Sequence, residues 1–190
     1  MKLLFMAGSA RQGSLNKKLA KAAEALAQEA GYETTLVDLR DFPMPLYDGD
    51  LEAESGLPEK AIAFKELFTA HQGVFIASPE YNSSFSPLLK NTLDWISRPH
   101  YEKEPRLSAY QNKVFAISAA SPGGLGGLRG LVPLRMLLGN VGTLVIPEQL
   151  ALSNAASAFD ENDKLTNESY RKTLQNIVSR LGSVTQQVHA

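Results

Sequence analysis

Five short apolar runs, each followed by a stretch with helical spacing, constrain this chain more than any other feature of its sequence. The runs are Lys2–Ala7, about Thr34–Leu39, Val74–Ser78, Val114–Ala120 and Thr143–Pro147. Several are continuously apolar rather than alternating, which is the pattern of parallel strands covered on both faces. Between them, apolar residues recur at helical intervals. Leu15, Leu19, Ala22 and Leu26 share a face of a helix that ends before Gly31. Ile62, Leu67 and Phe68 lie in a helix opened by Pro58 and closed near Gly73, and Phe85, Leu89, Leu93 and Ile96 make a third stripe. Tyr170, Leu174, Ile177, Leu181, Val184 and Val188 make a long last one. A further helix is expected within about Gly127–Leu138, starting late or kinking because of Pro133. Repeated strand–helix alternation of this kind specifies a doubly wound α/β domain with right-handed crossovers and a mostly parallel sheet. With no linker or internal repeat, residues 1–190 are expected to form a single domain. The Pro- and Gly-rich pieces Asp41–Gly56, Arg98–Arg106 and Ser121–Gly127 read as loops.

In an open parallel sheet, ligands bind beyond the carboxyl ends of the strands. Three loops there look specialised. The first, "GSARQGSLN", spans Gly8–Asn16. It matches the start of a triphosphate cradle at Gly8 and Gly13, but Ser14 stands where the lysine is required. Ala10 stands where the dinucleotide fingerprint needs its second glycine. Ser9, Arg11, Ser14 and Asn16 remain, and with helix N-terminal amides such a set can surround one phosphate monoester. The simpler alternative is a capped helix start with Ser14 as N-cap and Arg11 solvated. The second loop opens "SPEYNSSFSPLLKNTLDW", Ser78–Trp95. Ser86 and Pro87 suit a helix cap and first turn. Tyr81 and Asn82, beside Pro79 and Glu80, suit contact with the polar edge of a planar ring. Trp95 is expected to pack in the core or an interface. The third loop, "SPGGLGG", has four glycines in the seven residues Ser121–Gly127. It permits close backbone approach to a flat ligand, and equally it permits mere flexibility.

With 19 basic and 20 acidic residues, the chain has no electrostatic footprint for nucleic acid or an anionic membrane. It has no cysteine, so redox chemistry here requires a bound cofactor. His71, His100 and His189 lie far apart in sequence and form no metal-binding pair. The apolar run that stops at Gly8 is short for a signal peptide, and no stretch approaches a membrane span. A cytoplasmic protein is the expectation.

In order and spacing, "GSARQGSLN", "SPEYNSSFSPLLKNTLDW" and "SPGGLGGLRG", together with "MPLYDGD" at Met44–Asp50, resemble the NAD(P)H-dependent FMN reductase family. That flavodoxin-like group includes bacterial quinone and chromate reductases, and the resemblance covers about residues 2–150. It implies a three-layer flavodoxin-like fold, with a five-stranded parallel sheet in the order 2-1-3-4-5 and helices on both faces. It implies an FMN whose phosphate sits in Ser9–Asn16, contacting Ser9, Arg11, Gly13, Ser14, Leu15 and Asn16. The isoalloxazine ring would meet Pro79, Glu80, Tyr81, Asn82 and Ser83, with Ser121, Gly123 and Gly124 along a third side. Ser83 stands where a histidine is common in the family, and Ser86–Pro87 where many members have Pro-Gly.

The implied reaction passes hydride from NADPH or NADH through FMN to a small-molecule acceptor such as a quinone, free flavin, azo compound or chromate. FMN carries the chemistry, so no general acid or base is expected. Homodimers, often paired into tetramers, are usual in the family. Arg98, Arg106 and Arg129 are candidate partners for an NADPH 2′-phosphate, although surface or interface roles are commoner for such residues. The main alternative is a flavodoxin-type electron carrier, against which the balanced charge speaks. A hydrolase would need a G-x-S-x-G elbow, which is missing. A pure interaction module would leave the three loops unexplained.

Overall fold

A computed structural model describes all residues 1–190. Its principal strands are β1 (Lys2–Ala7), β2 (Glu33–Val37), β3 (Gly73–Ala77), β6 (Val114–Ala120) and β7 (Leu144–Leu152), while β4 (Glu80–Tyr81) and β5 (Ser84–Phe85) form a short hairpin. The helices are α1 (Leu15–Glu29), α2 (Gly49–Ser55), α3 (Glu59–Thr69), α4 (Pro87–Ile96), α5 (Leu128–Asn140) and α6 (Glu168–Val188). The large sheet has the order β2-β1-β3-β6-β7, with every neighbouring pair parallel. Numbering only the strands of this sheet, the order is 2-1-3-4-5, as the resemblance implies. The chain runs from β1 outward to β2 and then crosses to β3 on the other side. The change of direction opens a crevice at the carboxyl ends of β1 and β3.

The two-residue period of a strand explains why the central runs are apolar throughout. In β1, Leu3, Phe5 and Ala7 join α1 and α6 in one core, while Leu4 and Met6 join α3, α4 and α5 in the other. Strands β3 and β6 divide their residues in the same way, and both are buried along their whole length. Edge strand β2 is only partly covered. Trp95 is buried, packs edge-on against Tyr47 and donates its indole N–H to the Pro45 carbonyl at 2.8 Å. The core role expected for it is therefore observed.

Four details correct the sequence reading. Helix α5 neither starts late nor breaks, for it runs from Leu128 to Asn140 with Pro133 inside. The carbonyl that loses its donor to Pro133 belongs to the exposed Arg129, where water can replace the bond. The last strand does not stop at Pro147. Its pairing with β6 shifts between Phe115↔Val145 and Ile117↔Gln149, so Pro147 lies in a bulge, a position that needs no amide donor. The presumed loop Asp41–Gly56 contains α2, capped by the Asp48 side chain and ended by Gly56 at φ 71°. No residue of α2 is buried, so it left no amphipathic pattern to read. Finally, the turn after β3 is a hairpin rather than a simple strand–helix loop.

Candidate functional site

Beyond β1 and β3, a cleft of about 90 Å³ is lined by Ser9, Arg11, Ser14, Leu15, Asn16, Pro79, Glu80, Tyr81, Ala120, Ser121 and Pro122. It brings residues of all three specialised loops together. Ala120 and Pro122 were not expected there. Gly13, Asn82, Ser83, Gly123 and Gly124 stand in the same loops but do not line the cleft itself.

At its first wall, Ser14 is the N-cap of α1, its backbone extended and its hydroxyl accepting the Lys17 amide at 3.4 Å. The Ser9 hydroxyl accepts the Arg11 amide, also at 3.4 Å. Both serines are about 4% exposed, and neither donates its hydroxyl proton to any group in the chain. The amides of Leu15 and Asn16 open α1 and therefore have no partner within it. Arg11 is exposed and takes part in no ion pair, whereas Lys17 is held by Asp38 at 2.7 Å. Two unassigned hydroxyl protons, two helix-start amides and one free guanidinium form a donor set with no acidic residue in it. That chemistry fits a phosphate monoester, so the N-cap and the anion cradle coexist.

Asn16 plays a different part. Its amide donates to the Ala120 carbonyl and accepts the Ala120 amide, each at 2.9 Å. This reciprocal pair staples the start of α1 to the end of β6. The side chain is a brace, with one N–H left over. Ser86 acts similarly on the other side, donating to the Gly8 carbonyl at 2.5 Å while capping α4 through the Leu89 amide.

The second wall is the β4–β5 hairpin. Asn82 and Ser83 both have positive φ, 51° and 66°, as a two-residue type I′ turn requires. A histidine in place of Ser83 would have to adopt the same left-handed backbone. Tyr81 borders the cleft and is 46% exposed. The third wall starts at Ser121, whose amide and carbonyl both bond to the β7 side, at Leu152 and Ala155. Gly126 has φ 62°, and a Cβ there would come within 2.5 Å of the Ala151 backbone. Only glycine lets this loop lie so close to β7. The loop is therefore held in place, which its glycine content alone did not reveal.

A larger hollow of about 350 Å³ lies beside the first turns of α1, lined in part by Lys17, Lys18, Lys21, Asp38 and Asp163. Its lysines are already paired, Lys17 with Asp38 and both Lys18 and Lys21 with Asp163. The smaller cleft has the unmatched donors.

Residues 1–157 match the model of the family described as NADPH-dependent FMN reductase. A 2-hydroxy-1,4-benzoquinone reductase of a Burkholderia species is 32% identical over 181 residues, 95% of this chain and 93% of that protein. An NAD(P)H-dependent FMN reductase of Pseudomonas aeruginosa is 34% identical over 177 residues, 92% of this chain and 90% of its own length. Among solved structures, FerB, a flavoenzyme NAD(P)H:(acceptor) oxidoreductase from Paracoccus denitrificans, is similar at TM-score 0.83 and 29% identity. That match covers 98% of this chain and 97% of FerB. By sequence and by fold, this chain belongs to the NADPH-dependent FMN reductase family.

Proposed function

We propose that this chain is a single FMN-binding domain over residues 1–190, an NAD(P)H oxidoreductase that delivers electrons to a small acceptor such as a quinone. The observation that carries this reading is the cleft, which joins a monoester-type donor set to two rigid walls suited to a flat ring. When bound, FMN supplies the two-electron chemistry. The chain supplies the rest. Ser9 and Ser14 would donate hydroxyl protons to the phosphate, the helix-start amides would add two more donors, and Arg11 would balance the charge. Asn16 keeps the cradle in register with β6. Backbone amides of the Tyr81–Ser83 turn would stabilise negative charge on the polar edge of the ring. Gly123 and Gly124 would line the third side of the ring with Ser121.

Free flavin, azo compounds and chromate belong to the same acceptor class, because an open ring face admits many oxidants. We further propose a homodimer or homotetramer in the cytoplasm. Leu128, Val132 and Met136 recur at four-residue intervals on α5 and are 43%, 68% and 63% exposed, a stripe suited to a second copy. No helix is long and apolar enough to cross a membrane.

The test is an FMN titration of the purified chain followed by NADH and NADPH oxidation with a quinone present. Saturable FMN binding with acceptor-dependent oxidation supports the proposal. Flavin binding without oxidation of either nucleotide would make the chain an electron carrier and overturn the enzymatic reading.

A further inference from the structure

Helix α5 begins without a cap of its own. Its N-cap position is Gly127, in the left-handed region at φ 88°, and its first turn contains no acidic residue. The missing acceptor comes from the hairpin. One carboxylate oxygen of Glu80 accepts the amides of Arg129 at 3.1 Å and Gly130 at 3.3 Å. The other accepts from the Arg129 guanidinium at 2.8 and 2.7 Å. The Glu80 side chain is 9% exposed and that of Arg129 60%. Gly130 allows this close approach, since a Cβ there would lie 3.1 Å from the Ser84 carbonyl oxygen and 3.2 Å from the Glu80 Cβ. Hairpin and helix thus meet closely, at the Ser84 carbonyl and at the Glu80 side chain.

We propose that Glu80 is a positioning residue for the ring slot, acting through α5 rather than by touching the ring with its carboxylate. The inference rests on the flavin reading above. The hairpin carries Tyr81–Ser83, and the loop leading into α5 carries Ser121–Gly124. Glu80 ties these two walls to each other and so sets the slot between them. It also has an electrostatic role. Its negative charge offsets both the Arg129 cation and the positive end of α5 beside the slot.

The experiment compares Glu80→Gln, Arg129→Gln and the double variant with the parent, using full-length protein. The first measurement is affinity for FMN and for riboflavin, which lacks the phosphate. Glu80→Gln is expected to weaken both by the same factor, roughly tenfold for the loss of a charge-assisted clamp. The second is the midpoint potential of the bound flavin. It should rise in Glu80→Gln, where positive charge is left unbalanced, fall in Arg129→Gln, and return toward the parent value in the double variant. The third is amide hydrogen exchange, which should quicken in residues 80–85 and 127–131 of Glu80→Gln and stay unchanged in residues 9–16.

Unaltered affinity and potential in Glu80→Gln overturn the proposal, as does a loss confined to FMN, which would place the effect at the phosphate. Arg129 is exposed, so Arg129→Gln remains informative if Glu80→Gln fails to fold, and an unmoved potential in it also overturns the proposal. A parent chain that binds neither flavin overturns the flavin reading itself, an outcome distinct from all of these.

Discussion

Asn16 shows how a polar residue in a binding loop can serve the loop rather than the ligand. Replacing it with alanine leaves the amide and carbonyl of Ala120 without their partner, and Asn16 is only 3% exposed. We expect Asn16→Ala to cost about 3 kcal/mol in urea denaturation, the scale for two orphaned buried groups. Arg11 contrasts with it, because nothing in the fold uses its charge. Arg11→Ala should leave the urea midpoint within error and weaken FMN binding about tenfold or more while sparing riboflavin. Equal loss of both flavins would remove Arg11 from the phosphate. The sequence displayed the hydroxyls, the amide and the cation side by side around a helix start. It could not separate Asn16 from the others, because the partner of Asn16 is a backbone unit 104 residues away.

Elements set by local period were legible, and those set by a single cross-chain bond were not. The strands of the large sheet and the long helices announced themselves through apolar spacing. Pro133 and Pro147 misled at element ends, because the solvent exposure of Arg129 and a bulge in β7 absorb what a proline breaks. The segment Ser97–Leu107 has no such pattern, yet it is tied down. Lys65 on α3 donates to the Arg98 carbonyl at 2.5 Å and pairs with Glu104. Glu104 also accepts from Ser108 and from the His100 amide, and its side chain is 1% exposed. Removing one partner of such a pair leaves the other charge buried. Glu104→Gln is therefore expected to lower stability by about 3 kcal/mol or more in denaturant unfolding, with new protease cleavage confined to residues 97–107. A loss under about 1 kcal/mol would mean that the segment is held by packing instead.

For the molecule as a whole, the fold was readable because its chemistry is concentrated in one place. Strand order directs the three loops to one crevice, and composition leaves a bound cofactor as the redox agent. What composition hid is the pH response, since a net charge of −1 gives no sign of it. Burial pushes Glu104 upward, but Lys65, Ser108 and the His100 amide outweigh it and hold the carboxyl at about 2. Burial likewise works against Asp38, and Arg40 with Lys17 bring it to about 2. These carboxylates are more acidic in the folded chain than in the unfolded one. Their contribution is complete above the ordinary values of 4.5 and 3.8 and disappears as pH falls toward 2. Lys113 works in the opposite range. The residue is 5% exposed, its ammonium donates hydrogen bonds only to the Thr69 and His71 carbonyls, and burial lowers its pKa from 10.5 to about 8. Between those values the unfolded chain holds a proton that the folded chain has released. By linkage, the contribution of Lys113 to stability increases with pH across that window. Urea midpoints should thus fall steeply between pH 4.5 and 2. Above pH 8, the parent should gain stability relative to Lys113→Met, which has no proton to release. Parallel pH profiles for the two proteins above pH 8 would show that Lys113 keeps its ordinary value despite its burial, with the two carbonyls compensating its desolvation.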